Sequence, residues 1–232
     1  MPVGGERSQT PGIPWLYFRP RAGMAELVDA ADSKSVALKR RVGSIPSPGT
    51  IYRMNFCSNC GSRVLLKVPE CDFLPRHVCD NCRTIHYLNP KLVVGSVPEY
   101  EGRILLCKRG IEPRLGYWTI PAGFMENDET LEAGAAREAA EEARIQVEIG
   151  SLLLLANVTS ARQVHVFFRS RMLTPDFGVT HESLEVRLMD EKEIPWSDLA
   201  FPSTEYALRR FVEDRAAGVE RHHVAEMHRR FG

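Results

Sequence analysis

The stretch "REAAEE", residues 137–142, decides how this chain is read. Glu138, Glu141 and Glu142 stand at i, i+3 and i+4, which at 3.6 residues per turn sets three carboxylates within about a 100° arc of one helical face. Like charges so placed repel by roughly 0.2–0.5 kcal/mol per pair. A helix that gathers them, with alanines between, needs a compensating cation or a solvated face. Working outward, the surrounding sequence is "GFMENDETLEAGAAREAAEEARI", residues 123–145. It predicts an alanine-rich helix from about Leu131 to Ala143 with Thr130 as N-cap. An acidic surface helix, with Arg137 and Glu141 as an i, i+4 pair, is the plain alternative. It gives no reason for Pro121, Gly123 and Glu129 to sit at their offsets.

Those offsets are Gly123, then Glu129 six positions on, then Arg137-Glu138, then Glu141 and Glu142, with Ile145 after them. The series resembles the Nudix box, G-x5-E-x7-R-E-U-x-E-E-x-G-U, with U aliphatic. Ala139 is a small version of the first U, and Arg144 replaces the second glycine, which usually closes the helix in a left-handed conformation. The resemblance implies that Glu138, Glu141 and Glu142 ligate a divalent cation, that one of them helps activate water, and that Arg137 orients a carboxylate. Gly123 would let the loop approach the metal, and Glu129 is a supporting acid. Oxygen ligands suit Mg²⁺ or Mn²⁺, which keep several waters and bind substrate phosphates. The implied chemistry is hydrolysis of a diphosphate linked to a nucleoside, without a serine or cysteine nucleophile.

Upstream, "CSNC" and "CDNC" place Cys57 and Cys60 eighteen residues before Cys79 and Cys82. This is the spacing of a four-cysteine zinc site. Two such turns close a tetrahedral shell around Zn²⁺ with no open position, so this metal is expected to be structural. It would also explain how some 37 residues fold with so small a core. Cys71 reads as a spare thiol and Cys107 as core.

The chain has 232 residues, 44% apolar and 26% charged, with 30 charged side chains of each sign. Residues 1–53 hold eight of the basic ones and four of the acids, leaving 22 basic and 26 acidic residues after them. A negative body disfavours general nucleic-acid binding. No run of 18 apolar residues marks a membrane span, and with no secretory leader evident a cytoplasmic protein is expected. Residues 1–53, rich in Gly, Pro, Ser and Arg, read as a disordered extension. Within them, "AELVDAADSKSVALKRRVGSIPSPGT" resembles the conceptual translation of a transfer-RNA gene, which suggests a start at Met54. The expected organisation is a zinc ribbon over 54–90, a hydrolase domain over 91–216 and a C-terminal tail over 217–232. Leu92–Val97 and Arg103–Lys108 read as strands joined by a turn at Glu101-Gly102, and about 203–216 as a closing helix. His222 and His223 read as surface residues of the tail.

A zinc ribbon followed by such a box resembles the NADH pyrophosphatase branch, but that branch's marker S-Q-P-W-P-F-P is absent. In its place stands "ANVTSARQVHVFFRS". Segments "ESLE", "EIPW" and "LAFPS" at 182–203 resemble zinc-ribbon relatives acting on ADP-ribose and FAD. The resemblance implies an α+β Nudix sandwich, α/β/α around a mixed sheet, and a small nucleotide substrate. An acid in that C-terminal loop often completes the metal site; Glu185 is the first choice and Glu182 the next. Arg109, Arg114 and Trp118 are candidates for phosphate or adenine contacts, and relatives of this kind often form homodimers. NADH or an NAD-type cap on RNA is the second substrate reading. A non-catalytic sensing or nucleic-acid-binding role is the reading from another class.

Overall fold

The computed structural model describes residues 54–227; the expectations for residues 1–53 lie outside that range. The cysteine-rich segment forms a three-stranded antiparallel sheet of β1 (Val64–Lys67), β2 (Arg76–Cys79) and β3 (Ile85–His86). Its buried cluster is Cys57, Val64 and Cys79, with Met54 and Cys82 against it.

The following elements are β4 (Lys91–Tyr100), β5 (Arg103–Arg109), β6 (Trp118–Thr119), β7 (Ala122–Phe124), α1 (Leu131–Ala143), β8 (Val147–Val158), β9 (Gln163–Met172), β10 (Ser183–Met189), α2 (Pro202–Ala216) and β11 (His223–Glu226). The strands order as β10-β5-β4-β9-β8-β11, with β6 on β5 and β7 on β4. Pairing is antiparallel except for β4 with β9 and β8 with β11, so the sheet is mixed. Tyr100 pairs with Arg103 across a two-residue turn, in which Glu101 and Gly102 both take positive φ, as the tightest hairpins require.

Alternation along the strands assigns the two faces, because successive side chains point opposite ways. Ile104 and Leu106 pack with Leu208 and Phe211 of α2. Leu105 and Cys107 pack with Ala139 and Ala143 of α1. The two helices therefore cover opposite faces, giving the α/β/α sandwich expected. Ala135, Ala139 and Ala143, one turn apart and fully buried, form a methyl-sized ridge that lets α1 lie close to the sheet. That close approach brings the acidic stripe of the same helix against β7.

Two ends differ from expectation. Residues 217–232 were expected as a tail, yet 223–226 form β11, whose register runs His223–Leu154 to Glu226–Asn157. The anchor is Asp214, at the end of α2. Burial alone would raise its pKa, but the contacts with His223 (2.9 Å), the Arg221 amide (3.2 Å) and Arg169 hold it below the usual value. His223 is thus partly enclosed, not a surface residue. At the other helix, Arg144 adopts the left-handed conformation itself, at φ 56° and ψ 33°. That conformation costs a non-glycine residue about 1–2 kcal/mol. The helix end is closed by neighbours: Gly178 N–H donates to Ala143 O (2.8 Å) and the Thr180 hydroxyl to Glu142 O (3.3 Å).

Candidate active site and zinc centre

Thr130 caps α1, its hydroxyl accepting from Ala133 N–H at 3.1 Å. From this start the stripe falls into place around Arg137. The guanidinium donates to Glu129 through Nε (3.0 Å) and Nη2 (2.8 Å), to Glu138 (2.8 Å) and Glu141 (3.1 Å) through Nη1, and to Phe124 O (3.1 Å). One arginine thus fixes the β7 loop and three acids. Glu129, held by Arg137 and by the Glu126 amide, has its pKa drawn down to about 2, while Arg137 is raised.

The acids differ in exposure. Glu138 and Glu142 are buried, whereas the Glu141 side chain is 61% exposed. Burial pushes Glu138 up to about 7, against the pull of Arg137. It pushes Glu142 up to about 8, with Glu138 adding to the effect. Glu142 accepts from Ala122 N–H at 3.2 Å. A Cβ on Gly123 would come within 2.4 Å of both Glu138 carboxylate oxygens, so glycine is what lets Glu138 lie against β7. Two buried carboxylates, both raised by burial and by neighbouring acids, form a site that lacks a positive charge. That is a fit for a divalent ion. These oxygens do not close into a tight cage, since among the described residues only the four cysteines converge so closely. A loose, water-rich set suits Mg²⁺ or Mn²⁺.

Of the other candidates, Arg109 joins this group. It is 7% exposed, donates from Nε to Pro113 O (2.9 Å) and lies over the Phe201 ring at 5.0 Å. Burial lowers its pKa, opposed by the charges of Glu142 and Glu182. Glu185 does not join it. Its side chain pairs with Lys108 at 3.8 Å and with Arg187. Glu182 is the loop acid whose charge bears on Glu138, Glu142 and Arg109. The cause is an irregularity in the β10–β5 register between Ser183 and Glu185, which breaks simple alternation. Trp118, the candidate for adenine contact, is buried in the core, with Lys108 and Arg187 each 5.8 Å from its ring. Arg114 is exposed and lies over Tyr117.

The four cysteine sulfurs all lie within 4.8 Å of one another, with 3.5 Å between Cys57 and Cys82 and 3.4 Å between Cys60 and Cys79. A tetrahedron with Zn–S bonds of about 2.3 Å has edges near ~3.8 Å, so the set fits zinc. Polar groups face the sulfurs: Asn59 N–H on Cys57 (3.4 Å), the Thr84 hydroxyl on Cys82 (3.0 Å) and His86 Nε2 on Cys57 (3.3 Å). The Thr84 contact heads the causes that lower Cys82 to about 5.

Comparison with known proteins agrees with this geometry. The NUDIX domain family matches residues 90–211, and the family described as Nudix N-terminal, a zinc ribbon, matches residues 55–88. The chain belongs to the Nudix hydrolases and carries their N-terminal zinc ribbon. A NUDIX hydrolase from Nitrosomonas europaea, known as a crystal structure, is 50% identical, with a TM-score of 0.74 over 76% of this chain and 100% of that one. The NAD-capped RNA hydrolase NudC of Salmonella heidelberg is 30% identical over 213 residues, 88% of this chain and 76% of that protein. An ADP-ribose pyrophosphatase of Methanocaldococcus jannaschii is 39% identical over 67 residues, 29% of this chain and 40% of that protein. The chain spans about half the length of other curated relatives that it matches.

Proposed function

We propose that this Nudix hydrolase cleaves the diphosphate of a nucleoside diphosphate derivative, with ADP-ribose and FAD as its first substrates and AMP as a product. The carrying observation is the set of acids on α1, with Glu138 and Glu142 buried and Glu141 open, aligned by Arg137 against Gly123. Glu138, Glu141 and Glu142 would hold Mg²⁺ or Mn²⁺. When bound, the ion supplies Lewis acidity to phosphoryl oxygens and lowers the pKa of a coordinated water.

The chain's own residues supply the rest. Arg109, buried and interacting electrostatically with Glu142 and Glu182, would meet a substrate phosphate with charge-assisted hydrogen bonds. Glu182, whose charge bears on Glu138, Glu142 and Arg109, would accept the proton of the attacking water, in preference to Glu185. Arg137 holds Glu138 and Glu141 in their rotamers, so less reorganisation accompanies the reaction. Cys57, Cys60, Cys79 and Cys82 would hold Zn²⁺, which serves folding and touches no substrate.

The likeness to the Salmonella NudC over most of both chains supports a second reading, in which the substrate is NADH or an NAD-capped RNA. Product analysis separates the two. ADP-ribose, FAD, NADH and a nucleoside triphosphate are offered with Mg²⁺ or Mn²⁺, beside Glu141→Gln. AMP from ADP-ribose or FAD, lost in the variant, is the expected result. Turnover of NADH alone would overturn the first reading in favour of the second.

A further inference from the structure

The loop before β10 is fastened to the end of α1, and one hydroxyl sits at the joint. Gly178 N–H donates to Ala143 O at 2.8 Å, and Gly110 N–H to Glu182 O at 2.6 Å. Between these fixed points the Thr180 hydroxyl donates to Glu142 O (3.3 Å) and accepts from Glu182 N–H (3.2 Å). A hydroxyl has one proton and two lone pairs, so it can serve both partners at once. The Thr180 amide in turn donates to Ser183 O at 3.3 Å. Of its two hydroxyl partners, one belongs to a buried acid of the helix and the other to the loop acid whose charge bears on it.

We infer that Thr180 is a positioning residue, which sets the Glu182 carboxylate against the α1 acids by bonding both backbones. The inference rests on the proposed role of Glu182 and deepens it. Among the described residues, no other side chain is hydrogen-bonded to both the end of α1 and this loop. Thr180 itself touches no reacting atom. Its removal should therefore matter only through Glu182.

Valine keeps the shape of threonine and removes the hydroxyl, while serine keeps the hydroxyl. With the full chain, Mg²⁺ and whichever of ADP-ribose, FAD and NADH it turns over, Thr180→Val should lower kcat by about tenfold or more, since a small misplacement of a reacting group can cost ~100-fold. KM should stay within about twofold, and Thr180→Ser should recover most of the rate. The decisive comparison is a double-mutant cycle. If Thr180 acts through Glu182, Thr180→Val has no further effect once Glu182 is glutamine; a general loosening of α1 would slow both backgrounds equally and overturn the inference. Thr180→Ala replaces the valine variant if that one does not fold. Hydrogen exchange at the Glu182 amide reads the joint without any substrate: faster in Thr180→Val, unchanged in Thr180→Ser. Equal exchange with equal kcat overturns the inference. A full rate in Glu182→Gln overturns the role of Glu182, and with it this one.

Discussion

The ribbon and the hydrolase domain both gather anionic ligands, and they differ in what surrounds them. In the ribbon, four sulfurs converge and are met by an amide, a hydroxyl and an imidazole, while the buried apolar cluster is a handful of residues. Phe73, Leu66 and Tyr87 remain exposed. There a bound zinc would stand in for a core. In the hydrolase domain the core is already complete on both sheet faces, and the acids on α1 stay open on one side, with Glu141 turned to solvent. A metal held there would be free to take part in chemistry. A closed thiolate shell and an open carboxylate set are the two ends of one design choice, made here within a single chain.

The largest effect expected from breaking this contrast is on the ribbon. Zinc binding in small four-ligand modules is worth on the order of 10–16 kcal/mol, more than this cluster can replace. Stripping zinc, or replacing Cys79 by serine, should collapse the amide signals of residues 55–88 in an NMR spectrum while those of the sheet and α2 persist. Loss of both sets together would show that the ribbon supports the hydrolase fold.

Next in size are the acids. Glu142→Gln keeps the shape and the Ala122 contact but removes the charge, and kcat should fall by about 10²–10⁴, read by AMP release. Thermal stability should hold or rise, because a buried carboxylate no longer has to ionise. A variant that loses stability and activity in parallel would assign Glu142 to the core instead.

A smaller, pH-dependent effect follows from the raised pKa values of Glu138 and Glu142. In metal-free protein the folded state keeps these protons up to about pH 7–8, while the unfolded chain loses them near the ordinary carboxylate value of 4.5. The folded state therefore binds more protons across that window, and stability should fall as pH rises from about 5 to 8. Melting curves of chelated protein check this. The decline should disappear in Glu138→Gln/Glu142→Gln. The smallest effect is at the helix end, where Arg144→Gly should gain about 1 kcal/mol by relieving the left-handed residue, measured by urea unfolding.

What was legible in the sequence was what is local. The bounds of α1 and the Glu101-Gly102 hairpin follow from spacing within a few residues, and the convergence of the two CxxC turns from a motif repeated at a fixed distance; each is seen. The fate of Glu185 was not legible, because the break in register beside Ser183 redirects the strand and leaves Glu185 opposite Lys108. An opposite-charge pair at Lys108 and Glu185 is a hint the sequence holds, yet it can be read only once β5 and β10 are known to be neighbours. The burial of Trp118, a candidate for adenine contact, was not legible either, because aromatic chemistry is the same in a core and in a pocket. The edge strand β11 depends on Asp214 capturing His223 and Arg221 across a turn, a tertiary event without periodicity. The helix end at Arg144 broke the family pattern in the sequence, and only the loop at Gly178 and Thr180 explains why the break is tolerated.

The most direct test of the central contrast is to vary the two metals separately. The protein is treated with a mild chelator that removes Mg²⁺ and Mn²⁺, zinc is counted by atomic absorption, and AMP release is followed as Mg²⁺ is returned. The expected result is no turnover with one zinc still bound per chain, and full recovery on adding Mg²⁺ or Mn²⁺ alone. Turnover that persists without Mg²⁺ or Mn²⁺, or that rises and falls with the zinc content, would contradict it.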